Sequence, residues 1–503
     1  MGKSKVMVAL VIISMLSSFA SPLLGYAVEE PFVNVTGVEE TSRENPEEIA
    51  QKQTGKKEAR ETQDIMQISA AYGYPANDFY RPAASMVIEA DTGDIVWSDQ
   101  PDLEHEIASI TKLMSVYLIF EAISQKKITL DTSLTVSDKI AEIANISSLS
   151  NNRLIAGTNY KVSDLLSIIL MASSNAATVM LTNFLVDDNE GKFVEMMNTK
   201  AKELGMNRTN FYNSSGATAS AFNGLYNPEG FDAMSENTST VHDLALLTYH
   251  LLKEYPEILE YTKKPVVTVM AGTEMEETFS TYVYSVEGSL FSLEGTDGLK
   301  TGSSPTAGFG HVGTTKRGNP RMIEVFLGVG DWTDPQSELV RFGIGNALME
   351  KMFDDFSVKK VLKKGVRKIN GKKIVLEKDL SGFVRTDKKP EFEFKGNQVV
   401  LKPEFKKISK GLKQPSVTYK KFLTAAQKAE IEHQRKVNKR IGQYIVPLLL
   451  LLVSAVFLTL AKIFQQKERS EAIACFMLGT LILAITLILT AYTLVTGQPF
   501  LYL

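Results

Sequence analysis

EHEIASITKLMSVYLIFEAI, residues 104–123, reads as an apolar helix with two polar residues where none is needed. Ser109 and Lys112 stand three apart near its start, a spacing that puts both side chains on one helical face. A lone S-x-x-K is common. Its ordinary reading is a serine near a helix N-terminus and a lysine that snorkels to water. A chemical reading asks for more, because a serine hydroxyl is a poor nucleophile until a base takes its proton. Lysine can be that base only if its pKa falls, which burial and a neighbouring cation both cause. Lys112 is set among Ile107, Ala108, Ile110, Leu113 and Met114, so desolvation is expected. The second cation has to come from elsewhere in the chain.

Two further motifs bear on the pair. MASSNAAT holds Ser173-Ser174-Asn175, an S-x-N at a break between two apolar helical segments, and DGLKTGSS holds Lys300-Thr301-Gly302 on an expected strand. Alone, the first caps a helix and the second ends a strand. S-x-x-K, S-x-N and K-T-G in this order, about 60 and 125 residues apart, form the signature set of penicillin-recognising enzymes. Residues 70 to 355 accordingly resemble the serine D-alanyl-D-alanine carboxypeptidases among the low-molecular-mass penicillin-binding proteins (peptidase family S11). GMNRTNFYNSSGA (205–217) and STVHDLALL (239–247) also resemble segments of that family, and 357–420 resembles the C-terminal domain often appended to it.

The resemblance implies a mechanism and partners. Ser109 would attack the carbonyl between two D-alanines of a peptidoglycan pentapeptide stem, with Lys112 taking its proton. Ser173 would relay that proton to the leaving amine, and Asn175 would hold the substrate amide. Lys300 would supply the second cation and, with Thr301 and Ser303, meet the terminal carboxylate. The backbone N–H groups of Ser109 and Ser303 would form the oxyanion hole, while Gly302 leaves the strand edge open for substrate pairing. β-Lactam antibiotics would acylate the same serine. No cofactor and no metal ion is implied. Many relatives carry a basic residue in the loop after the strand that follows K-T-G, but GVGDWTDPQSE (328–338) has none. Carboxylate recognition is therefore expected to rest on Lys300, Thr301 and Ser303. A class A β-lactamase would need a deacylating glutamate, and Glu203, Glu229 and Glu236 all lack the E-x-x-L-N context. A catalytically inactive, membrane-tethered wall-binding protein is the other alternative, against which the intact motifs argue.

The rest of the chain fits an exported envelope protein. Residues 1–27 have the layout of a signal peptide, with cleavage expected after Ala20 or Ala27, and 28–66 form a polar spacer. Residues 67–355 read as an α+β domain, an antiparallel sheet flanked by helices: two strands around the D-T-G-D turn, helices between, with Ser163 as an N-cap, and three strands beyond Asp297. Residues 356–420 read as a small all-β domain rich in lysine, whose basic face suits either anionic wall polymer or plain solvation. A charged helical linker (421–443) leads to two apolar stretches, 444–464 and 472–496, each long enough to span a lipid bilayer as a helical hairpin. With the catalytic part outside the cell membrane, the hairpin puts Lys467 and Arg469 inside. HQRKVNKR (433–440) would then lie outside, against the positive-inside tendency. The 503 residues carry a net charge of −3, which gives no global basic field for nucleic acid. Cys475 is the single cysteine, so no intrachain disulfide can form. GFGHVG (308–313) runs into a strand rather than a helix and is not a dinucleotide fingerprint. His105, His242, His250, His311 and His433 lack zinc-ligand spacing.

Overall fold

The computed structural model describes residues 64–466 and 471–496; the expected signal peptide, most of the spacer and the connector with Lys467 and Arg469 fall outside the described residues. Ile65 and Met66, assigned above to the spacer, instead open helix α1 (Ile65–Ala71), because Asp64 caps it by accepting from the N–H groups of Met66 and Gln67. Its apolar side chains Ile65 and Ile68 are buried.

Five strands form the central antiparallel sheet: β1 (Ala84–Glu89), β2 (Ile95–Asp99), β3 (Thr296–Ser304), β4 (Gly308–Lys316) and β5 (Arg321–Val329), in the order β2-β1-β5-β4-β3. The pairing of Ala84 with Leu327, Met86 with Val325 and Ile88 with Ile323 sets one face of the sheet. Those residues pack on helices α2 (Lys112–Ser124), α3 (Val162–Met171), α4 (Asn175–Phe184), α5 (Glu190–Leu204) and α6 (Val241–Glu254). Val87, Met322 and Phe326 point the other way, onto α1 and α7 (Gln336–Asp355). With helices on both faces, β1 is buried at all positions and shows no polar alternation. Helix α2 is the centre of the larger core. Every residue from Lys112 to Phe120 is buried, so most of the helix is enclosed on all sides rather than along one stripe. Each fully buried Leu, Ile or Phe side chain contributes roughly 1.5–3 kcal/mol.

Two local expectations are corrected. The run 104–123 is not one helix: Ala108–Thr111 is a 3-10 turn and the α-helix starts at Lys112. Ser163 is not the N-cap of α3, a position held by Lys161 without a side-chain bond. The strand Asn159–Lys161 feeds directly into that helix, and the N–H groups of Val162 and Ser163 donate to the carbonyls of Thr132 and Leu130. Backbone acceptors thus satisfy the helix start and leave no need for a cap.

Helix α7 runs directly into β6 (Phe356–Leu362), and the chain continues through β7 (Gly365–Ile369), β8 (Lys372–Leu376), β9 (Leu380–Arg385), β10 (Phe392–Lys395), β11 (Gln398–Leu401) and β12 (Ser416–Lys421). β6 pairs with β9, and the other five form a sheet in the order β7-β8-β12-β11-β10 over a small core of Ile369, Ile374, Leu376, Leu380, Val399 and Val417. This β domain is clasped to the first hairpin. Ile95 donates to the Lys406 carbonyl (2.9 Å), Ile408 donates to the Gly93 carbonyl (2.8 Å), and Lys407 Nζ meets Asp94 at 2.8 Å. Gly93 sits at φ +69° against Leu412 and Ile408, where a β-carbon would collide.

Thr424 and Gln427 form a capping box that opens α8 (Ala425–Arg440), none of whose residues is buried. A π-helical turn, Ile441–Ile445, joins α8 to α9 (Val446–Gln466), which packs on α10 (Glu471–Thr496). Ser454 Oγ donates to the Gly479 carbonyl at 2.8 Å, and Gly479 lets Leu458 approach closely. Both helices are long and apolar enough to cross a membrane.

Candidate active site

The 3-10 turn before α2 is shaped by its neighbours. Ala108 lies at φ +42°, and a β-carbon on Gly216 would overlap the Ala108 carbonyl, so the segment 213–217 presses directly on the turn. Ser109 is left partly accessible while Ala108, Ile110 and Thr111 are buried. Asn237 bolts this region together: its Nδ2 donates to Thr111 Oγ1 (2.9 Å) and its Oδ1 accepts from Tyr212 N (2.7 Å). Asn213 Oδ1 in turn accepts from Gly216 N at 2.6 Å.

Lys112 is fully buried and points at three neutral oxygens: Ser109 Oγ at 2.9 Å, Asn175 Oδ1 at 2.9 Å and the Ser215 carbonyl at 2.7 Å. Burial chiefly, and the charge of Lys300 next, hold its ammonium well below the ordinary lysine range. Asn175 is fixed at both ends, because its Nδ2 and its backbone N–H both donate to the Ser150 carbonyl (3.0 and 2.8 Å).

Ser173 stands in the break between α3 and α4. Ser174 caps α4 by accepting from Ala177 N at 3.1 Å, which leaves Ser173 in the left-handed region at φ +56°. That conformation is costly for a residue with a β-carbon and is held here by the packed elements on either side. It brings Ser173 Oγ within 2.9 Å of Lys300 Nζ. Lys300 is 1% exposed, and it also donates to the Thr301 carbonyl at 3.0 Å. Burial, and the guanidinium of Arg341 beyond it, push Lys300 down to about 7. No carboxylate touches Ser109, Lys112, Ser173 or Lys300 among the described residues.

Gly302 has a tighter reason for being glycine than an open strand edge. A β-carbon there would lie 2.8 Å from Ile110 N, and closer still to the Ile107 carbonyl. Its absence allows β3 to rest on the Ser109 turn. The free edge arises from topology instead, since β3 is the last strand of the sheet.

Arg341 is the residue that motif reading missed. The loop 328–338 has no basic residue, but α7 supplies one from behind the sheet. Arg341 is 1% exposed, and its Nη1 donates to Ser303 Oγ (2.9 Å) and to the Gly310 carbonyl (3.0 Å). The guanidinium lies over Phe342 and Phe309, and burial lowers its pKa to about 10. The available signal was an arginine inside the apolar helical run LVRFGIGNALM, where a solvated cation has no place. Asn213 and Ser215 were legible only as part of a family-like segment (205–217), and Asn237 lies outside both such segments.

The arrangement can activate a hydroxyl and receive an anion: a buried amine lies beside Ser109 Oγ, Lys300 stands on the edge strand and Arg341 sits behind it. Fold and pocket together define the transpeptidase-like class of penicillin-binding proteins. Comparison with known proteins sharpens this. The D-alanyl-D-alanine carboxypeptidase family of serine peptidases (S11) matches residues 76–330, just over half of the chain. The chain belongs to that family. A domain family of unknown function matches residues 358–420. D-alanyl-D-alanine carboxypeptidase DacF of Bacillus subtilis is 29% identical over 247 residues, covering 49% of this chain and 57% of the relative. A D-alanyl-D-alanine endopeptidase of Escherichia coli is 29% identical over 188 residues, covering 37% of this chain and 52% of the relative. The chain thus spans little more than half the length of these curated relatives. Among solved structures, the peptidoglycan synthesis regulatory factor PBP3 of Streptococcus pneumoniae has a TM-score of 0.59 and 28% identity, covering 68% of this chain and 99% of that one.

Proposed function

We propose that the chain is a serine D-alanyl-D-alanine carboxypeptidase acting on peptidoglycan stems outside a bacterial cell membrane, to which α9 and α10 anchor it. The observation that carries this reading is Lys112, fully buried, with neutral oxygens as its partners and Ser109 Oγ at 2.9 Å. An amine kept there in its neutral form accepts the Ser109 proton as Oγ bonds to the penultimate D-alanine carbonyl carbon. The carbonyl oxygen takes up the negative charge facing the N–H groups of Ser109 and Ser303. When the C–N bond breaks, the proton passes through Ser173 Oγ to the departing D-alanine amine. Water then hydrolyses the Ser109 ester. The terminal carboxylate is read by Thr301 and Ser303, with Lys300 and Arg341 providing charge. The stem lies along the free edge of β3 as an added strand. Asn175, with both amide ends engaged, orients Lys112 as well as facing substrate.

A β-lactam presents the same carboxylate and a strained carbonyl to the same atoms, and is expected to leave a long-lived acyl group on Ser109. The absence of a carboxylate contact in the pocket among the described residues favours slow deacylation over β-lactamase turnover. The test is labelling of the membrane-inserted chain by a fluorescent penicillin, together with D-alanine release from a stem pentapeptide. Both are expected in the wild type and neither in Ser109→Ala. A folded wild type that takes no label would sink the reading.

A further inference from the structure

The β domain carries a charge of its own that the catalytic reading does not use. Residues 356–421 contain 20 Lys and Arg against six Asp and Glu, while the whole chain stands at −3. All six carboxylates are already engaged: Glu377 with Lys420, Asp379 with Lys360, Asp387 with Arg385, Glu391 with Lys402, Glu393 with Lys395 and Glu404 with Lys388. Lys407 is taken by Asp94 of the catalytic domain. The remaining cations have no carboxylate partner among the described residues.

Some of them are arranged against the fold's own interest. Lys368 on β7 and Lys373 on β8 are direct cross-strand partners, both exposed, on the face of the sheet opposite Ile369 and Ile374. Lys420 on β12 joins that face through its pairing with Val375. Like charges directly opposite on a sheet are destabilising, and among the described residues no carboxylate pairs with Lys368 or Lys373. The Lys373 ammonium lies over the Phe422 ring at 4.1 Å, an aromatic face rather than a carboxylate. The cations are overwhelmingly lysine, with Arg367 and Arg385 the two exceptions. Lysines act as point charges rather than bidentate forks, which suits a repeating polyanion better than one recognised headgroup.

We propose that this face, centred on Lys368 and Lys373, binds a phosphodiester polyanion of the extracytoplasmic space. Distance decides between such a polymer and the bilayer's own phosphates. Helix α8 is 16 residues long and continues into α9 within one unbroken 39-residue run. At ~1.5 Å per residue it holds the β domain roughly 24 Å from the apolar segment. The headgroup layer takes up about 5–8 Å of this, which leaves about two Debye lengths at physiological salt, so the lipid surface potential is largely screened at the sheet. This distance rests on the reading of α9 as membrane-spanning.

The test uses the full chain in nanodiscs of zwitterionic lipid, titrated with poly(glycerol phosphate) at several salt concentrations, with penicillin labelling of Ser109 as an independent control. The wild type is expected to bind with an affinity that falls steeply with salt. Lys368→Gln with Lys373→Gln is expected to weaken binding at least tenfold and to flatten the salt dependence. Penicillin labelling should be unchanged and the melting temperature equal or higher, since the double variant removes a repulsion. No polymer binding by the wild type overturns the proposal, as does binding indifferent to the two lysines. Wild-type binding to anionic-lipid nanodiscs in the absence of polymer, lost in the double variant, would instead assign the face to the bilayer. Failure of labelling with intact polymer binding would count against the catalytic reading alone.

Discussion

Replacing Arg341 by methionine separates two roles that the guanidinium combines. It donates to Ser303 Oγ, the hydroxyl proposed to read the substrate carboxylate, and its charge lies behind Lys300. A hydrogen bond from a charged donor contributes about 1.5–3 kcal/mol, so its loss is expected to lower kcat/KM roughly 10- to 150-fold. The second effect has the opposite sense. Lys300 is held down to about 7 by burial and by Arg341, so without the arginine its pKa rises. The carboxylate is attracted only while Lys300 is protonated, and kcat/KM reports the free enzyme. The basic limb of the profile should therefore move to higher pH in Arg341→Met, even as the maximum falls. Initial rates of D-alanine release at low stem-peptide concentration, taken on either side of neutrality, give both numbers. A variant that merely loosens the pocket lowers the maximum and leaves the limb in place. A limb that stays put or moves down would refute the electrostatic coupling, and an unchanged kcat/KM would refute the Ser303 contact.

Lys112→Ala should fold, because a small apolar side chain suits the buried start of α2, yet acylate more slowly by about 10²–10⁴, the usual range for a lost general base. Wild-type-like acylation, followed by mass spectrometry, would remove Lys112 from that role. Gly302→Ala pushes a β-carbon against Ile107 and Ile110, separating β3 from the Ser109 turn. Overpacking of this kind costs about 1–3 kcal/mol, which thermal denaturation measures, and a shift near 1 Å at the site costs about 10² in rate. Lys112 and Lys300 both titrate below the ordinary lysine value of 10.5 in the folded chain. Between about 7 and 10.5 the unfolded chain binds more protons, so stability contributed by Lys300 rises with pH over that window. The melting temperature of the wild type minus that of Lys300→Met should increase from neutral to alkaline pH, and a flat or falling difference would contradict the assignment.

Three short motifs made the pocket legible in the sequence because each is a local geometry: a turn of helix, a break between helices and a strand. The α+β class followed from the same spacing, with strands at both ends of the domain and helices between. What stayed hidden was set by tertiary contact. Nothing local says that 108–111 is a 3-10 turn. Its shape comes from Gly216 and Asn237, more than a hundred residues away. Ser163 has the composition of a cap, but Leu130 and Thr132 already supply the acceptors. Arg341 is hidden from the motifs because it stands on α7, beyond the loop after β5, and enters through the back of the sheet.

A shift in composition near residue 356 invites the picture of two beads on a string. The clasp at Gly93, Asp94 and Ile95 argues otherwise. Cutting the chain after α7 would strip the Gly93 carbonyl and the Ile95 N–H of their partners and leave Asp94, about 7% exposed, without Lys407. It would also remove Phe356 and Phe383, which share one core cluster with Trp97, Leu348 and Met352 of the catalytic part. The catalytic part is therefore not a separable module. Heated, the pair should melt in one transition, and a protease should find no soft seam between them.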